Sequence, residues 1–221
     1  MIDQLDELED VRELLAQQAD LFYDRHTQKA AKLSHRADTV SMMREQPSQE
    51  LLRLLACIED RVANYVRRAY PSLEPADLNL TYNTFVNRQR GLGKWAIPHR
   101  HVGNQLVATY YPRVLLGSSE GLDAVGMPGA LCFHDPRPVQ ANWMLRHENK
   151  LFAQTPLEGA LFIFPGYLEH STFPLFDAAS DKVAIVTNVR FTHRDDSGSD
   201  QTWSAEQIRE HTPVHPLESN Q

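Results

Sequence analysis

Three histidines and one lysine have types and spacing that could do chemistry. His99 and His101 flank a single residue in the run WAIPHRHVGNQL. Residues two apart on a strand face the same side, so both imidazoles would point into one cavity. Imidazole nitrogens in such a cavity can bind transition-metal ions. A pair of this kind also occurs at strand ends without any metal, and the pair alone leaves both interpretations open.

His170 and Lys182 are the other two candidates. His170 follows a buried-looking run and a Pro-Gly turn in GALFIFPGYLEH, which places it at the start of the next strand. A lone histidine there is more often a hydrogen-bonded core or surface residue than a ligand. Lys182 opens the apolar strand KVAIVTNVRF. If it faces inward, its ammonium needs a partner such as an incoming carboxylate, whereas at a strand edge it would reach water.

Two amphipathic helices are predicted before this region. Apolar residues at helical spacing predict helices over 2–20 and 49–69. Ser48 is a candidate N-cap for the second helix, and Pro71 ends it. The polar stretch between the two helices is interpreted as a loop with at most one short helix. Each helix has one apolar face, and the sequence leaves open whether these faces support the main body or form a dimer interface.

From residue 78 the pattern changes to short β-prone runs separated by Gly and Pro turns. The strands are predicted at 79–90, 95–101, 105–112, 129–134, 149–153, 160–164, 168–173 and 182–191. Strands at this spacing favour a sandwich or barrel over a parallel α/β sheet. The Gly-rich loop 113–128 is of the kind that covers a site. After the last strand the chain is polar, with one weakly predicted helix at 204–211.

Composition excludes several classes of function. The 221 residues carry a net charge of −7 without a Lys/Arg cluster, which argues against nucleic-acid binding. No run reaches 18 apolar residues and the N-terminus is not of the secretory type, so we expect neither a membrane span nor a secretory signal. Cys57 and Cys132 both lie in apolar runs, which fits reduced thiols and a cytoplasmic location.

Taken together, these parts resemble those of a known family. The order HRH (99–101), TYYP (109–112), FHDPRP (133–138) and LFIFPGYLEH (161–170), followed by a basic residue that opens the last strand, resembles the 2-oxoglutarate/Fe(II) oxygenases. It is most similar to a bacterial branch with an HxH, YY, DPR, FP, H pattern. The run from HRHVGNQL to TYYP is also similar to the equivalent strand pair of prolyl hydroxylases. The resemblance covers about half the chain, from 79 to 191.

The resemblance implies a role for each matching residue. His99 and His170 match the two metal histidines, and His101 matches the position that is usually Asp or Glu, so the implied metal ligands and catalytic residues are these three. Lys182 matches the basic residue that pairs with the distal carboxylate of 2-oxoglutarate, and Tyr111 matches a tyrosine that points at the same co-substrate. Asn188 shares a strand face with Lys182 and is a further candidate for binding inside the cavity, although its side chain could equally satisfy backbone groups.

The match departs from the family in two places. A third histidine in place of a carboxylate raises the net charge of the metal centre by one unit. Asp135 could supply the missing carboxylate, but in the expected order it lies beyond a later strand and is better explained as a turn residue. Lys182 stands where Arg is commoner, so the bidentate fork is lost. In the implied fold, Arg113 and Trp143 lie near the mouth as candidate substrate contacts.

The implied fold is mainly β, a double-stranded β-helix of the jelly-roll or cupin-like kind with supporting N-terminal helices. The implied division is an N-terminal helical segment at 1–77, a catalytic core at 78–192 and a polar extension at 193–221. The implied activity uses Fe(II), 2-oxoglutarate and O₂ to hydroxylate a small-molecule or amino-acid-like substrate, with release of succinate and CO₂. Two alternatives stay open: a cupin metalloenzyme that does not use 2-oxoglutarate, although Gln105 stands where cupins usually have Glu, and a non-catalytic β-barrel binding module.

Overall fold

A computed structural model describes residues 1–27, 41–117, 127–134, 151–193 and 203–204 of the chain. Nine strands lie within these residues. In chain order they are β1 (Ile2–Gln4), β2 (Leu78–Arg90), β3 (Leu106–Leu115), β4 (Leu131–His134), β5 (Leu151–Gln154), β6 (Ala160–Pro165), β7 (His170–Thr172), β8 (Asp181–His193) and β9 (Trp203–Ser204). Three helices precede β2, namely α1 (Arg12–Thr27), α2 (Met42–Glu45) and α3 (Gln49–Ala69).

The helix α3 has the bounds that its apolar spacing predicts. The Ser48 hydroxyl accepts a hydrogen bond from the amide of Leu51 at 3.1 Å, which is the expected N-cap. The predicted helix over 2–20 is wrong for its first ten residues. Ile2–Gln4 instead pairs antiparallel with β6 at the sheet edge, because strand pairing satisfies its backbone groups there. A single 3-10 turn at Asp6–Leu8 separates this strand from α1.

The strands form two antiparallel sheets. The large sheet has the order β1-β6-β3-β8-β2-β9, and the small sheet has the order β5-β4-β7. The predicted strand at 95–101 is the exception, since only an isolated bridge joins His99 to His170. The segment still follows β7, because Ala96 accepts from the amide of Thr172 at 3.0 Å. Pro98 has no amide to donate, which interrupts the ladder. In the predicted C-terminal helix at 204–211, Ser204 belongs to β9, and the rest lies outside the described residues.

The large sheet is buried on both faces. Residues of β3 alternate between two apolar clusters, with Tyr110 in the cluster beneath α1 and α3 and Tyr111 in the cluster between the sheets. The helices therefore cover the outer face of the large sheet, and the small sheet lies opposite its inner face. This two-sided burial explains why β3, β6 and β8 read as nearly continuous apolar runs. No helix among the described residues is both long and apolar enough to cross a membrane.

Buried ion pairs fix α1 to the strands. Arg88 of β2 makes two hydrogen bonds to the carboxylate of Asp181, at 3.1 and 3.0 Å, and pairs with Asp20 of α1 at 3.0 Å. Arg113 of β3 also pairs with Asp20, at 2.7 Å, and with Glu13. The prediction that Arg113 lies near the mouth as a substrate contact is therefore wrong, because these carboxylates hold its guanidinium on the helix side of the sheet.

Candidate active site

Three imidazoles converge between the two sheets. His99 and His101 lie in the connection between β2 and β3, and His170 is the first residue of β7. Their ring centroids are 4.3 to 5.2 Å apart, and one nitrogen from each ring lies within 4.8 Å of the other two. His101 and His170 are buried, whereas His99 is half-buried. The histidines thus lie at the solvent end of a cavity, where an ion from solution can reach them.

Each imidazole is held by an oxygen acceptor on the same ring nitrogen. The Nδ1 of His99 lies 2.7 Å from the carbonyl oxygen of Ile97, and that of His170 lies 2.9 Å from the carbonyl oxygen of Leu168. The Nδ1 of His101 lies 2.5 Å from Asn188 Oδ1. These oxygens only accept, so each Nδ1 carries the proton and donates. In this tautomer the lone pair of each ring is on Nε2, which is the nitrogen that can bind a metal.

A glycine fixes the position of His101. The amide of His101 donates to the carbonyl oxygen of Gly166 at 2.9 Å, and the amide of Gly166 donates to that of Gln105 at 2.9 Å. A Cβ at position 166 would overlap the carbonyl oxygen of Asn104 and come within 3.1 Å of that of His101. The Pro-Gly turn after β6 is therefore the contact against which the histidine-bearing connection folds.

The histidines border a pocket of about 450 Å³, counting the part open to solvent. Its wall combines apolar residues of the inter-sheet cluster with polar residues of four strands. The lining residues are Phe85, Asn87, Gln89, Ala96, His99, His101, Thr109, Tyr111, Leu131, His170, Thr172, Lys182, Ala184 and Val186.

Lys182 faces inward, with 3% of its surface exposed. Its Nζ donates to the carbonyl oxygen of Gly129 at 2.5 Å, and no carboxylate of the described residues pairs with it. Burial lowers the pKa of Lys182 from 10.5 to about 7, and the nearby Cys132 thiol offsets this only in part. A cation removed from water without an anionic partner is costly, so the lysine is placed to receive an anionic ligand.

Tyr111 lies beside the lysine. Lys182 Nζ is 5.9 Å from the centre of the Tyr111 ring, and both residues line the pocket. Burial raises the pKa of the Tyr111 phenol, so its hydroxyl keeps its proton and can donate a hydrogen bond at neutral pH. Asn188 is not among the residues that line the pocket, and its side-chain oxygen contacts Nδ1 of His101, which does line it.

Three other predicted features lie wholly or partly outside the described residues. Asp135 and Trp143 lie outside the described residues, as do 118–126 of the loop predicted to cover the site. Sequence reasoning missed four polar residues of the pocket wall, namely Asn87, Gln89, Thr109 and Thr172. A signal for two of them was present: Phe85, Asn87 and Gln89 alternate along β2 and share one face, so two amides follow a core residue on the inward side.

The donor set fits a divalent transition-metal ion. Three neutral imidazole nitrogens suit iron, zinc, copper or nickel and leave the full charge of the ion uncompensated by protein ligands. Nitrogens bound to one ion at about 2.1 Å lie about 3 to 3.5 Å apart, so small ring rotations bring this set within reach of one ion. Among the described residues, no carboxylate joins this group of candidate ligands.

Among solved structures, the chain is similar to a prolyl hydroxylase from Trichoplax adhaerens, determined in complex with a hypoxia inducible factor oxygen degradation domain peptide fragment. The alignment covers 90% of this chain and 87% of that chain at 16% identity, with a TM-score of 0.55. This likeness confirms the predicted fold class, a mainly β double-stranded β-helix with N-terminal helices.

Two bacterial structures align less completely. A Pseudomonas putida prolyl-4-hydroxylase matches over 49% of this chain and 51% of its own, at 13% identity and a TM-score of 0.34. A 2OG-Fe(II) oxygenase family oxidoreductase from Burkholderia pseudomallei matches over 49% and 45%, at 11% identity and a TM-score of 0.33. The alignments thus span about half the length of these two proteins. No protein-family model and no curated protein matches the sequence.

Proposed function

We propose that this chain is a non-haem Fe(II)- and 2-oxoglutarate-dependent oxygenase. Its ligands for iron are His99, His101 and His170, and its anchor for the distal carboxylate of 2-oxoglutarate is Lys182, with Tyr111 beside it. One observation supports this assignment above the others: three imidazoles with anchored Nδ1 atoms line the same pocket as a buried ammonium that has no carboxylate partner among the described residues. A metal alone does not account for the lysine, and an anion alone does not account for the three rings.

The chain's own residues bind, orient and exclude water. Ile97, Leu168 and Asn188 contact the Nδ1 atoms of the three rings, which leaves Nε2 of each ring as the nitrogen that would bind the metal. Phe85, Val186 and their apolar neighbours keep the inner wall dry, which strengthens charge interactions inside the pocket. Iron bound there would supply oxygen activation coupled to the conversion of 2-oxoglutarate to succinate and CO₂.

The substrate that we propose is a small molecule or an amino-acid-like group. The Trichoplax protein, which has the same fold, was determined with a peptide fragment, and this supports an amino-acid side chain as one candidate. The net charge of −7 favours neither nucleic acid nor another polyanion as the substrate.

Anaerobic titration tests the metal and co-substrate assignments. Fe(II) followed by 2-oxoglutarate should produce the weak visible charge-transfer band of the chelate in the wild type. The band should be lost in His170→Ala, which removes one ligand. In Lys182→Met it should appear only at higher 2-oxoglutarate concentration, because the distal carboxylate loses its cation.

The same titration separates the alternatives. Metal binding without the band would favour a cupin-like enzyme that does not use 2-oxoglutarate, and binding of neither would favour a non-catalytic module. Once the band is established, succinate release can be screened against candidate substrates with His170→Ala as the blank. Equal succinate from both proteins would remove His170 from the proposed chemistry.

A further inference from the structure

Gln89 lies directly opposite Lys182 in the large sheet. The two residues are paired across β2 and β8, so both side chains extend from the same face. Side chains paired in this way have Cβ atoms about 5 Å apart. Both residues line the pocket, and each exposes only 3% of its surface. The amide of Gln89 is therefore a buried polar group in the wall of the same pocket as the Lys182 ammonium.

The hydrogen bonds of this amide leave one oxygen unsatisfied. Gln89 Nε2 lies 2.7 Å from Thr172 Oγ1, and the amide of Ala96 also donates to this oxygen, at 2.7 Å. Gln89 Oε1 is buried and has no hydrogen-bond partner among the described residues. With Thr172 Oγ1 accepting twice, its hydroxyl proton also has no acceptor there. A buried amide oxygen without a donor costs about 1 to 3 kcal/mol, so this arrangement is unfavourable.

A half-turn of the Gln89 amide provides a partner for its oxygen and for the hydroxyl proton of Thr172. The oxygen of Gln89 then faces Thr172 and accepts the hydroxyl proton, while Thr172 Oγ1 still accepts from Ala96. The NH₂ group of Gln89 then occupies the buried position in the pocket wall, as a donor without an acceptor among the described residues.

We propose that Gln89 is a second donor to the distal carboxylate of the co-substrate, and that Thr172 is the positioning residue that orients its amide. This inference rests on the proposed function. Lys182 supplies a charge but no fixed direction, because an ammonium lacks the planar fork of a guanidinium. A carboxylate that accepts from Lys182 with one oxygen and from Gln89 with the other is held at two points.

The experiment is calorimetric titration of Mn(II)-loaded protein with two ligands. One is 2-oxoglutarate, and the other is oxalate, which chelates the metal but has no distal carboxylate. Gln89→Met keeps the length of the side chain and removes both polar atoms. It should weaken 2-oxoglutarate binding about tenfold to a hundredfold, the usual value of a hydrogen bond to a charged group, and leave oxalate within about twofold. Unchanged oxalate binding also shows that the variant is folded and metal-loaded.

Two further comparisons test whether Gln89 acts as a donor and whether Thr172 orients its amide. Gln89→Glu cannot donate when ionised and repels the ligand, so it should weaken 2-oxoglutarate binding at least as much as Gln89→Met. Thr172→Val removes the hydroxyl that orients the amide and should weaken 2-oxoglutarate binding severalfold, whereas Thr172→Ser keeps the hydroxyl and should bind as the wild type does.

The outcomes separate this inference from the proposed function. If the wild type binds 2-oxoglutarate and Gln89→Met binds it equally well or more tightly, the donor role of Gln89 is refuted and the proposed function stands. If the wild type binds Mn(II) and oxalate but not 2-oxoglutarate, the proposed function itself is refuted, and the inference with it. Equal binding by Thr172→Val and Thr172→Ser would refute only the orientation by Thr172.

Discussion

The buried ammonium of Lys182 should make the stability of the ligand-free protein depend on pH. Burial lowers its pKa to about 7 in the folded chain, whereas the unfolded chain keeps the ordinary value of 10.5. Between these two values the unfolded chain holds a proton that the folded chain has released, so the free energy of unfolding rises with pH. The full cost is present below pH 7, where it is about 5 kcal/mol, and it disappears by about pH 10.5.

Lys182→Met removes this titration and keeps an unbranched, apolar side chain. The variant should be more stable than the wild type at pH 7. The difference in unfolding free energy should then shrink by about 2 kcal/mol between pH 7 and 9 as the wild type becomes more stable. Denaturant unfolding of both proteins with a metal chelator at pH 7, 8 and 9 measures this. The range stops at pH 9 because burial raises the pKa of the neighbouring Cys132 thiol from 9, and its titration would begin to contribute.

The exposed Lys94 supplies a matched control. Lys94→Met also removes one ammonium, but from the surface, and its difference from the wild type should be flat across the same range. A flat difference for Lys182→Met, or a variant less stable than the wild type at pH 7, would refute the reasoning, because the ammonium would then be compensated inside the fold. With Mn(II) and 2-oxoglutarate bound, the slope of the wild type should fall, since ion pairing with the ligand keeps the lysine charged.

Three further perturbations test the architecture around the pocket. Asn188→Ala removes the acceptor on His101 Nδ1 and should weaken Fe(II) or Mn(II) binding about tenfold to a hundredfold in a competitive chelator titration. Asn188→Asp keeps an acceptor and should bind the metal more tightly than Asn188→Ala does. Equal metal affinities of the two variants would show that the contact does not orient the ring. Gly166→Ala should weaken metal binding and lower the unfolding free energy by about 1 to 3 kcal/mol, because the added Cβ displaces the connection that carries His101. A variant with wild-type metal affinity would contradict this role of Gly166. Arg88→Met should lower the unfolding free energy by about 3 to 5 kcal/mol in denaturant titrations, because Asp181 and Asp20 lose their shared cation. A loss under 1 kcal/mol would mean that Arg113 compensates both carboxylates.

Sequence patterning predicted those elements whose local signals agree with the tertiary structure. The helix α3 has an N-cap, a wide apolar face and a proline soon after its end, and each of these signals indicates the same bounds. The first ten residues also have helical spacing, but pairing with β6 prevails there. Propensity over so short a segment is a weak signal, and a sheet edge with unsatisfied backbone groups is a strong competitor.

The site was predicted in part, and one step of the reasoning was wrong. His99 and His101 do face one cavity, but the connection between β2 and β3 places them there and not the alternation of a regular strand. The two-residue spacing still placed both imidazoles on the same side because the segment is locally extended alongside β7. The role of Asn188 beside His101 could not be predicted, because it depends on how the connection crosses the end of β8. That crossing depends on Gly166, which is distant in sequence.

Charge balance links the three histidines of the pocket to Lys182. With three neutral imidazoles as ligands, a bound divalent ion keeps its full charge, and Lys182 adds another cation to the same apolar wall. In a water-poor pocket these charges repel each other, so metal binding by itself favours release of the lysine proton. A dicarboxylate that reaches both the metal ion and Lys182 has the opposite effect on the lysine proton. One of its ends compensates the charge of the ion, and the other compensates the charge of the ammonium. No carboxylate of the described residues joins the three histidines, so under the proposed function the co-substrate would provide this compensation. Metal and co-substrate should therefore bind more tightly together than the affinity of either alone indicates.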